Sequence, residues 1–121
     1  VFEKQVIDAD TAETVTEILV RVVEEGPDKA KVPGYRVAGK TGTAQIPIPG
    51  GYHPEDTIAT FVGFGPVPDP EVVVLVKLDR PRSSEWASNT AAPTFSRLMC
   101  QLMTVLGVPP TGGELAAEVA P

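Results

Sequence analysis

The sequence predicts an α+β fold in which an antiparallel sheet of three strands is flanked by helices. Helical periodicity of apolar residues is confined to the two ends of the chain, and three extended segments rich in β-branched residues lie between them. No crossover helices separate these segments, which indicates antiparallel strands. The chain has 121 residues, of which 42% are hydrophobic, and this is enough for one domain with a single modest core.

The first helix is predicted to begin at an acidic segment and to end at a Gly-Pro pair. Asp10 and Glu13 are typical of a capping box, in which the Asp10 carboxylate accepts an early helix amide and Glu13 reaches back to the cap amide. Gly26 and Pro27 end the helix, because glycine caps it and proline cannot continue it. The stripe expected to be buried consists of Val15, Ile18, Leu19, Val22 and Val23.

Three strands are predicted between the helices. The first covers residues 35–45, where bulky and small side chains alternate, and a loop rich in proline and glycine is expected at 46–56. The second strand covers 57–65, and the third covers the valine-rich run 71–78. Only a short proline turn at 66–70 separates these two strands, so they are expected to form an antiparallel hairpin.

The second helix is predicted to run from Asn89 or Thr90 to Leu106. Its apolar stripe consists of Ala92, Phe95, Leu98, Met99, Leu102, Met103 and Leu106. Cys100 is the only cysteine of the chain, and it is expected to pack as a small hydrophobic side chain. Residues 111–121 are predicted to be a flexible tail.

Composition argues against several kinds of partner. The 16 acidic and 10 basic residues give a net charge of −6, which repels nucleic acid and anionic lipid headgroups. No stretch approaches the roughly 20 apolar residues of a membrane span. His53 has no second histidine or cysteine at ligand spacing, so neither a metal nor another cofactor is predicted. Arg80 and Arg82, beside Trp86, are interpreted as charges on a solvated turn rather than as an anion-binding pair.

The segment Lys40-Thr41-Gly42-Thr43 is the best chemical clue in the chain, and it has two interpretations. Residues 34–41 match the phosphate-loop pattern G-x-x-x-x-G-K-[ST]. In a phosphate loop, however, a buried strand precedes the glycines and a helix begins at the lysine. Here a polar connector precedes the pattern, and the prolines that follow it oppose a helix. The flanks therefore favour a strand, and nucleotide binding is the weaker alternative.

A strand that carries this motif is suited to the rim of an acyl-transfer site. Successive side chains of a strand alternate between its faces, so Lys40 and Gly42 are expected on one side and Thr41 and Thr43 on the other. On an edge strand, unpaired backbone amides remain free to receive an oxyanion. Gly42 has no side chain that would obstruct the approach of a substrate backbone.

The motif and its surroundings resemble the third active-site motif of penicillin-binding protein transpeptidases, specifically the class B enzymes of cell division and elongation. Enzymes of this kind carry S-x-x-K, a second serine motif and K-T-G. The resemblance covers about residues 3–110, with matching flanks at 10–14, 58–64 and 90–95. It implies that residues 1–110 are the C-terminal portion of a transpeptidase domain with an incomplete β-lactamase/transpeptidase-like fold.

The resemblance implies a role for each residue of the motif. Lys40 would help to bind the substrate carboxylate and would set the charge near the serine of the second motif. The hydroxyls of Thr41 and Thr43 would hold the carboxylate of a peptide or a β-lactam, with Gly42 between them in the same substrate-binding strand. The Thr43 amide would be one of two oxyanion donors. The implied reaction is acyl transfer: a serine attacks a D-alanyl-D-alanine carbonyl, and an amine from a neighbouring peptidoglycan strand then attacks the acyl-enzyme.

The nucleophile for this reaction is absent from the sequence. None of the serines, Ser83, Ser84, Ser88 and Ser96, begins an S-x-x-K or S-x-N motif. The resemblance therefore implies that an upstream part of the same protein supplies the serine and a membrane anchor on the extracytoplasmic face of the bacterial membrane. It also implies that the 121 residues alone are inactive. The expected partners are peptidoglycan stem peptides, β-lactams and that upstream part. The alternative functions of the parent protein are those of a β-lactamase-like hydrolase, a penicillin sensor or a catalytically inactive binding module.

Overall fold

The computed structural model describes residues 3–27 and 29–111, which form two helices around one sheet. The elements in chain order are α1 (Ala9–Glu25), β1 (Ala38–Ile48), β2 (Gly51–Gly65), β3 (Val72–Asp79) and α2 (Ala91–Leu106), with a short 3-10 turn at Ala87–Asn89. The sheet is antiparallel and has the strand order β1-β2-β3. The predicted α+β class, the element order and the hairpin of the last two strands are confirmed.

The two helices cover opposite faces of the sheet. Ala38 of β1 and Phe64 of β2 are partners in the strand register, and they share a small core cluster with Val20 of α1. Phe61 lies on the other face of β2, where it belongs to the larger cluster with Phe95 of α2. The ring centroids of Phe61 and Phe95 are 4.6 Å apart. The order of layers is therefore α1, sheet, α2, with most of the core on the α2 side.

Helix α1 has a different N-cap from the predicted one. The Asp8 carboxylate accepts a hydrogen bond from the Thr11 amide at 2.7 Å, so Asp8 is the N-cap and Asp10 lies inside the first turn. The hydrogen bonds from Thr11 hold the pKa of Asp8 below its ordinary value. The predicted capping box is wrong, because two aspartates stand two residues apart and either one could serve as the cap. Gly26 ends the helix as predicted.

The apolar stripe of α1 is only partly buried. Val23 is buried, but Val15 and Ile18 are 44% and 56% exposed. Val20, which the helical spacing did not place on the stripe, is fully buried between α1 and the sheet. The prediction was wrong at Val15 and Ile18 because α1 packs on β1, and the described residues supply no further surface to cover these side chains.

The loop predicted at 46–56 is instead the end of a β-hairpin. Pro47 pairs with Tyr52 and Ile48 with Gly51, after a register irregularity between Gln45 and Pro47. Gly50 adopts a φ of 86°, which closes the tight turn. Proline is tolerated in β1 because this strand lies at the edge of the described sheet, where a missing N–H costs little.

The start of β1 also differs from the prediction. The strand begins at Ala38 rather than at residue 35. Gly34 adopts a φ of 82°, and Tyr35 forms an isolated bridge with Val32, so the chain turns before it enters the sheet. The Tyr35 hydroxyl donates to the Val108 carbonyl at 2.7 Å and ties this turn to the end of α2.

Helix α2 lies close to its predicted bounds, and its stripe is mostly confirmed. Phe95 and Met99 are fully buried, whereas Leu98 and Leu106 are 41% and 56% exposed. Cys100 packs half-buried against the larger core cluster, as expected for a small hydrophobic residue. Most of the predicted tail lies outside the described residues. Its first residue, Thr111, donates its amide to the Gly34 carbonyl at 2.9 Å and accepts from the Arg36 amide at 3.1 Å.

An ion pair joins α1 to the segment that leads into β1. Both terminal nitrogens of the Arg36 guanidinium donate to the Glu17 carboxylate, at 3.1 and 2.7 Å. These hydrogen bonds hold the pKa of Glu17 below its ordinary value. A carboxyl whose pKa is lowered by folding stabilises the folded state above its unfolded pKa, and this contribution is lost as the pH falls through the lowered value.

The Glu17–Arg36 pair leads to a pH-dependent prediction. We expect Glu17→Gln to lower the midpoint of thermal unfolding modestly at pH 7, because the pair is half-exposed and screened by water. The deficit should shrink as the pH falls through the lowered pKa of Glu17, where the wild-type carboxylate also becomes protonated. Thermal denaturation between pH 7 and about pH 3 measures this, with Glu13→Gln on the same helix as the matched control. A deficit that is unchanged across this range would contradict the assignment.

Candidate active site at the edge of strand β1

The motif Lys40-Thr41-Gly42-Thr43 lies in the first half of β1, at the edge of the described sheet. Lys40 pairs with Val62 of β2, and Gly42 pairs with Thr60. Lys40 is therefore on the face covered by α1, while Thr41 and Thr43 are on the α2 face, as the strand alternation predicted. Within the described residues β1 has a neighbouring strand on one side only, so its other side is open.

The Lys40 ammonium meets Thr41 although the two side chains start on opposite faces. The Lys40 Nζ donates to the Thr41 carbonyl and to the Thr41 hydroxyl, both at 3.2 Å. The flexible four-carbon side chain of lysine allows this, because it can curl around an open strand edge. A positive charge and a hydroxyl thus converge at the edge, which simple alternation of faces did not predict.

The Thr43 hydroxyl is held by the segment that precedes α2. Its Oγ1 accepts a hydrogen bond from the Ala87 amide at 3.4 Å. The same segment is tied to β2, since the Thr57 hydroxyl donates to the Glu85 carbonyl at 2.7 Å and the Thr57 side chain is buried. Residue spacing gave no sign of these contacts, because the partners lie 28 and 44 residues apart along the chain.

Two clefts flank the motif. A cleft of about 560 Å³ lies between α1 and Lys40, with Ile18 and Val22 in its apolar wall. A smaller cleft of about 230 Å³ adjoins Thr43 and is lined in part by Trp86. The motif therefore separates two concave surfaces, an arrangement in which a substrate can extend along β1 and contact both.

Several charged groups beside the smaller cleft are paired with each other. The Arg80 Nε lies 3.3 Å from the Asp56 Oδ2, and the Arg80 Nη1 lies 3.1 Å from the Asp79 Oδ1. These pairs agree with the interpretation of Arg80 as a charge on a turn. The His53 Nδ1 accepts from the Asp56 amide at 2.9 Å, and its Nε2 lies 3.5 Å from the Asp56 carboxylate. Among the described residues, no group of three or more histidine, cysteine or acidic side chains is arranged to hold a metal ion.

The structure contradicts the phosphate-loop interpretation of residues 34–41. A phosphate loop requires a helix that begins at the lysine, so that backbone amides surround the phosphates. In this chain the strand continues through Lys40 to Ile48. Separately, neither helix in the described ranges is long and apolar enough to cross a membrane.

Comparison with known proteins identifies the family. Residues 1–100 match the family model of the penicillin-binding protein transpeptidase domain. The chain is 38% identical over 120 residues to a probable peptidoglycan D,D-transpeptidase, PbpC, of Pseudomonas aeruginosa. The alignment covers 97% of this chain and 21% of that protein. The chain thus spans about a fifth of the length of this curated relative.

Solved structures agree in fold. The apo transpeptidase domain of penicillin-binding protein 3 from Burkholderia pseudomallei superposes with a TM-score of 0.81 at 36% identity, over 90% of this chain and 34% of that one. Penicillin-binding protein 3 from Mycobacterium tuberculosis, solved in complex with ampicillin, superposes with a TM-score of 0.74 at 36% identity, over 90% of this chain and 27% of that one. The predicted resemblance is confirmed, and the chain belongs to the penicillin-binding protein transpeptidase domain family.

Proposed function

We propose that this chain is the C-terminal part of a class B peptidoglycan D,D-transpeptidase and that it supplies one wall of the active site. The observation that carries the proposal is the placement of Lys40, Thr41 and Thr43 along an open strand edge between two clefts, in a member of the transpeptidase family. The catalytic serine and a membrane anchor come from another part of the parent protein. The site then works on the extracytoplasmic face of the bacterial membrane, where peptidoglycan is cross-linked.

Each residue of the wall has a chemical task in this proposal. The Lys40 ammonium attracts the substrate carboxylate and sets the charge near the serine of the second motif. The Thr43 hydroxyl already accepts a hydrogen bond from the Ala87 amide, so its proton is available to donate to that carboxylate. The Thr41 hydroxyl lies beside Lys40 and binds the same group. Gly42 leaves room for the substrate backbone.

The Thr43 amide stabilises the charge that develops during acyl transfer. The serine oxygen attacks the carbonyl carbon of the penultimate D-alanine, and the carbonyl oxygen becomes an oxyanion that accepts from the Thr43 N–H. Collapse of this intermediate breaks the C–N bond, and the amine of the terminal D-alanine takes up a proton and leaves. An amine of a second stem peptide then attacks the ester and releases the serine. A β-lactam reacts at the same carbonyl position, but its opened ring stays attached to the serine.

An apolar patch that α1 leaves uncovered supports the proposal that the remaining part of the parent packs against this chain. Val62, Val73 and Leu75 are 44%, 72% and 65% exposed, and they share the face of the sheet that carries Lys40. Exposed clusters of this kind mark surfaces that another element covers. The chain matches only about a third of a solved transpeptidase domain, so the rest of such a domain is the proposed occupant.

The isolated chain is expected to be catalytically silent. Incubation of the 121-residue chain with a fluorescent penicillin should give no covalent adduct, because the proposed nucleophile lies outside it. The intact parent should be labelled under the same conditions, and gel fluorescence after denaturation measures both. Labelling of the isolated chain, or no labelling of the parent, would contradict the proposal. Release of penicilloic acid at a high turnover rate would instead favour a β-lactamase-like hydrolase.

A further inference from the structure

A side-chain hydroxyl on β2 contacts the backbone of the motif. Thr60 lies directly opposite Gly42 in the strand register, and its Oγ1 donates to the Gly42 carbonyl oxygen at 3.1 Å. A Cβ atom at residue 42 would lie only 2.6 Å from this hydroxyl oxygen. The absence of a side chain at residue 42 therefore makes room for the Thr60 hydroxyl.

This contact shows the direction in which the neighbouring Thr43 N–H points. The Gly42 carbonyl and the Thr43 N–H belong to one planar peptide unit, and in a trans peptide they point in opposite directions. Since the carbonyl faces Thr60 on β2, the Thr43 N–H points away from β2 and towards the open edge. The position of the Lys40 ammonium agrees with this orientation. It reaches the Thr41 carbonyl from the open edge, and successive carbonyls of a strand point in opposite directions, so the next carbonyl, that of Gly42, points towards β2.

We propose that Thr60 is a positioning residue for acyl transfer: its hydroxyl holds the Gly42–Thr43 peptide plane so that the Thr43 N–H is aimed at the oxyanion. This inference rests on the proposed function of the Thr43 amide. An edge strand has a hydrogen-bonding partner on one side only, so its peptide planes are held less firmly than those inside a sheet. The hydroxyl also polarises the peptide unit, because a hydrogen bond accepted by a carbonyl strengthens the N–H at the other end as a donor.

The test uses hydroxyl-free and hydroxyl-retaining variants of Thr60 in the intact parent. Thr60→Val keeps the shape of the side chain but removes the donor, and we expect acylation by a penicillin to slow by about 10-fold, less than the 10²–10³-fold cost of losing an oxyanion donor outright. Thr60→Ser should restore the rate to within about twofold, since it can make the same hydrogen bond. Thr104→Val is the matched control, because it removes an exposed hydroxyl that donates to the Cys100 carbonyl on α2.

A spectroscopic readout separates positioning from a merely structural role. The infrared stretching frequency of the ester carbonyl in the acyl-enzyme falls as its oxyanion-hole hydrogen bonds strengthen. Thr60→Val should therefore shift this band to higher frequency than in the wild type, while Thr60→Ser and Thr104→Val should leave it in place. The midpoint of thermal unfolding is measured for each variant alongside the rate.

The possible outcomes distinguish this inference from the proposed function. A Thr60→Val parent that acylates at the wild-type rate with an unshifted carbonyl band overturns the role of Thr60 and leaves the proposed function intact. Equal slowing of the valine and serine variants, with lowered unfolding midpoints and an unshifted band, also overturns it, because Thr60 would then act through stability alone. A wild-type parent that forms no acyl-enzyme overturns both proposals.

Discussion

Replacing Lys40 with alanine in the intact parent is expected to reduce acylation by a fluorescent penicillin by about 100-fold or more. The ammonium is the only side-chain cation in the motif, and it lies 3.2 Å from the Thr41 hydroxyl at the open edge of β1. Without it, the substrate carboxylate loses its charged partner and the serine of the second motif loses the nearby positive charge. Electrostatic groups of this kind contribute about 10²- to 10³-fold to rates.

The Lys40→Ala experiment has a matched control on the connector between α1 and β1. Lys31 is exposed and its carbonyl accepts from the Ser96 hydroxyl of α2, on the opposite face of the sheet from Lys40, so Lys31→Ala removes the same charge away from the motif. We expect acylation of Lys31→Ala within about twofold of the wild type, because exposed charges that far apart are largely screened. Equal loss in both variants, or unchanged acylation of Lys40→Ala, would remove Lys40 from the proposed site.

Replacing Phe95 with alanine is expected to have the largest effect on stability. Its ring is fully buried, packs 4.6 Å from the Phe61 ring and lies against the backbone at Gly63, where a Cβ atom would come within 2.5 Å of it. Truncation of a phenylalanine in such a position costs about 4 kcal/mol, through lost burial and the cavity that remains. For the transpeptidase domain of the parent, this corresponds to a fall of about 10 °C in the midpoint of thermal unfolding.

Leu98 on the same helix provides the control for Phe95. It is 41% exposed, so Leu98→Ala removes much less buried surface and leaves no closed cavity. We expect a loss of about 1 kcal/mol or less. Unfolding midpoints that fall equally in the two variants would show that Phe95 is not the centre of the core between the sheet and α2.

The order of the elements along the chain and most helix bounds could be predicted because they depend on local patterns. Valine-rich runs, a proline turn and a Gly-Pro helix end act over a few residues, and they were interpreted correctly at β3 and at Gly26. The segment 46–56 was misjudged because the same local reasoning treats Pro47 as a strand breaker. Proline is unfavourable inside a sheet but acceptable on an edge, and the position of β1 within the sheet is a tertiary property.

The exposed residues of α1 show the same limit. Helical spacing correctly gave the helix an apolar side, yet it placed Val15 and Ile18 inside the core and left Val20 out. The spacing defines a face, whereas burial depends on how far the neighbouring surface extends. Here α1 contacts the sheet through Val20, while Ile18 lines the open cleft beside Lys40.

The sequence by itself determined the family and the α+β class. It also supplies the proposed chemistry of the motif, since Lys40, Thr41, Gly42 and Thr43 stand next to one another in the chain. Only the tertiary structure decided which groups contact the motif. The register of β2 places Thr60 opposite Gly42, and the path of the segment before α2 brings the Ala87 amide to Thr43. These contacts join residues 18 and 44 positions apart, and a one-residue change of register would turn Thr60 to the other face of the sheet.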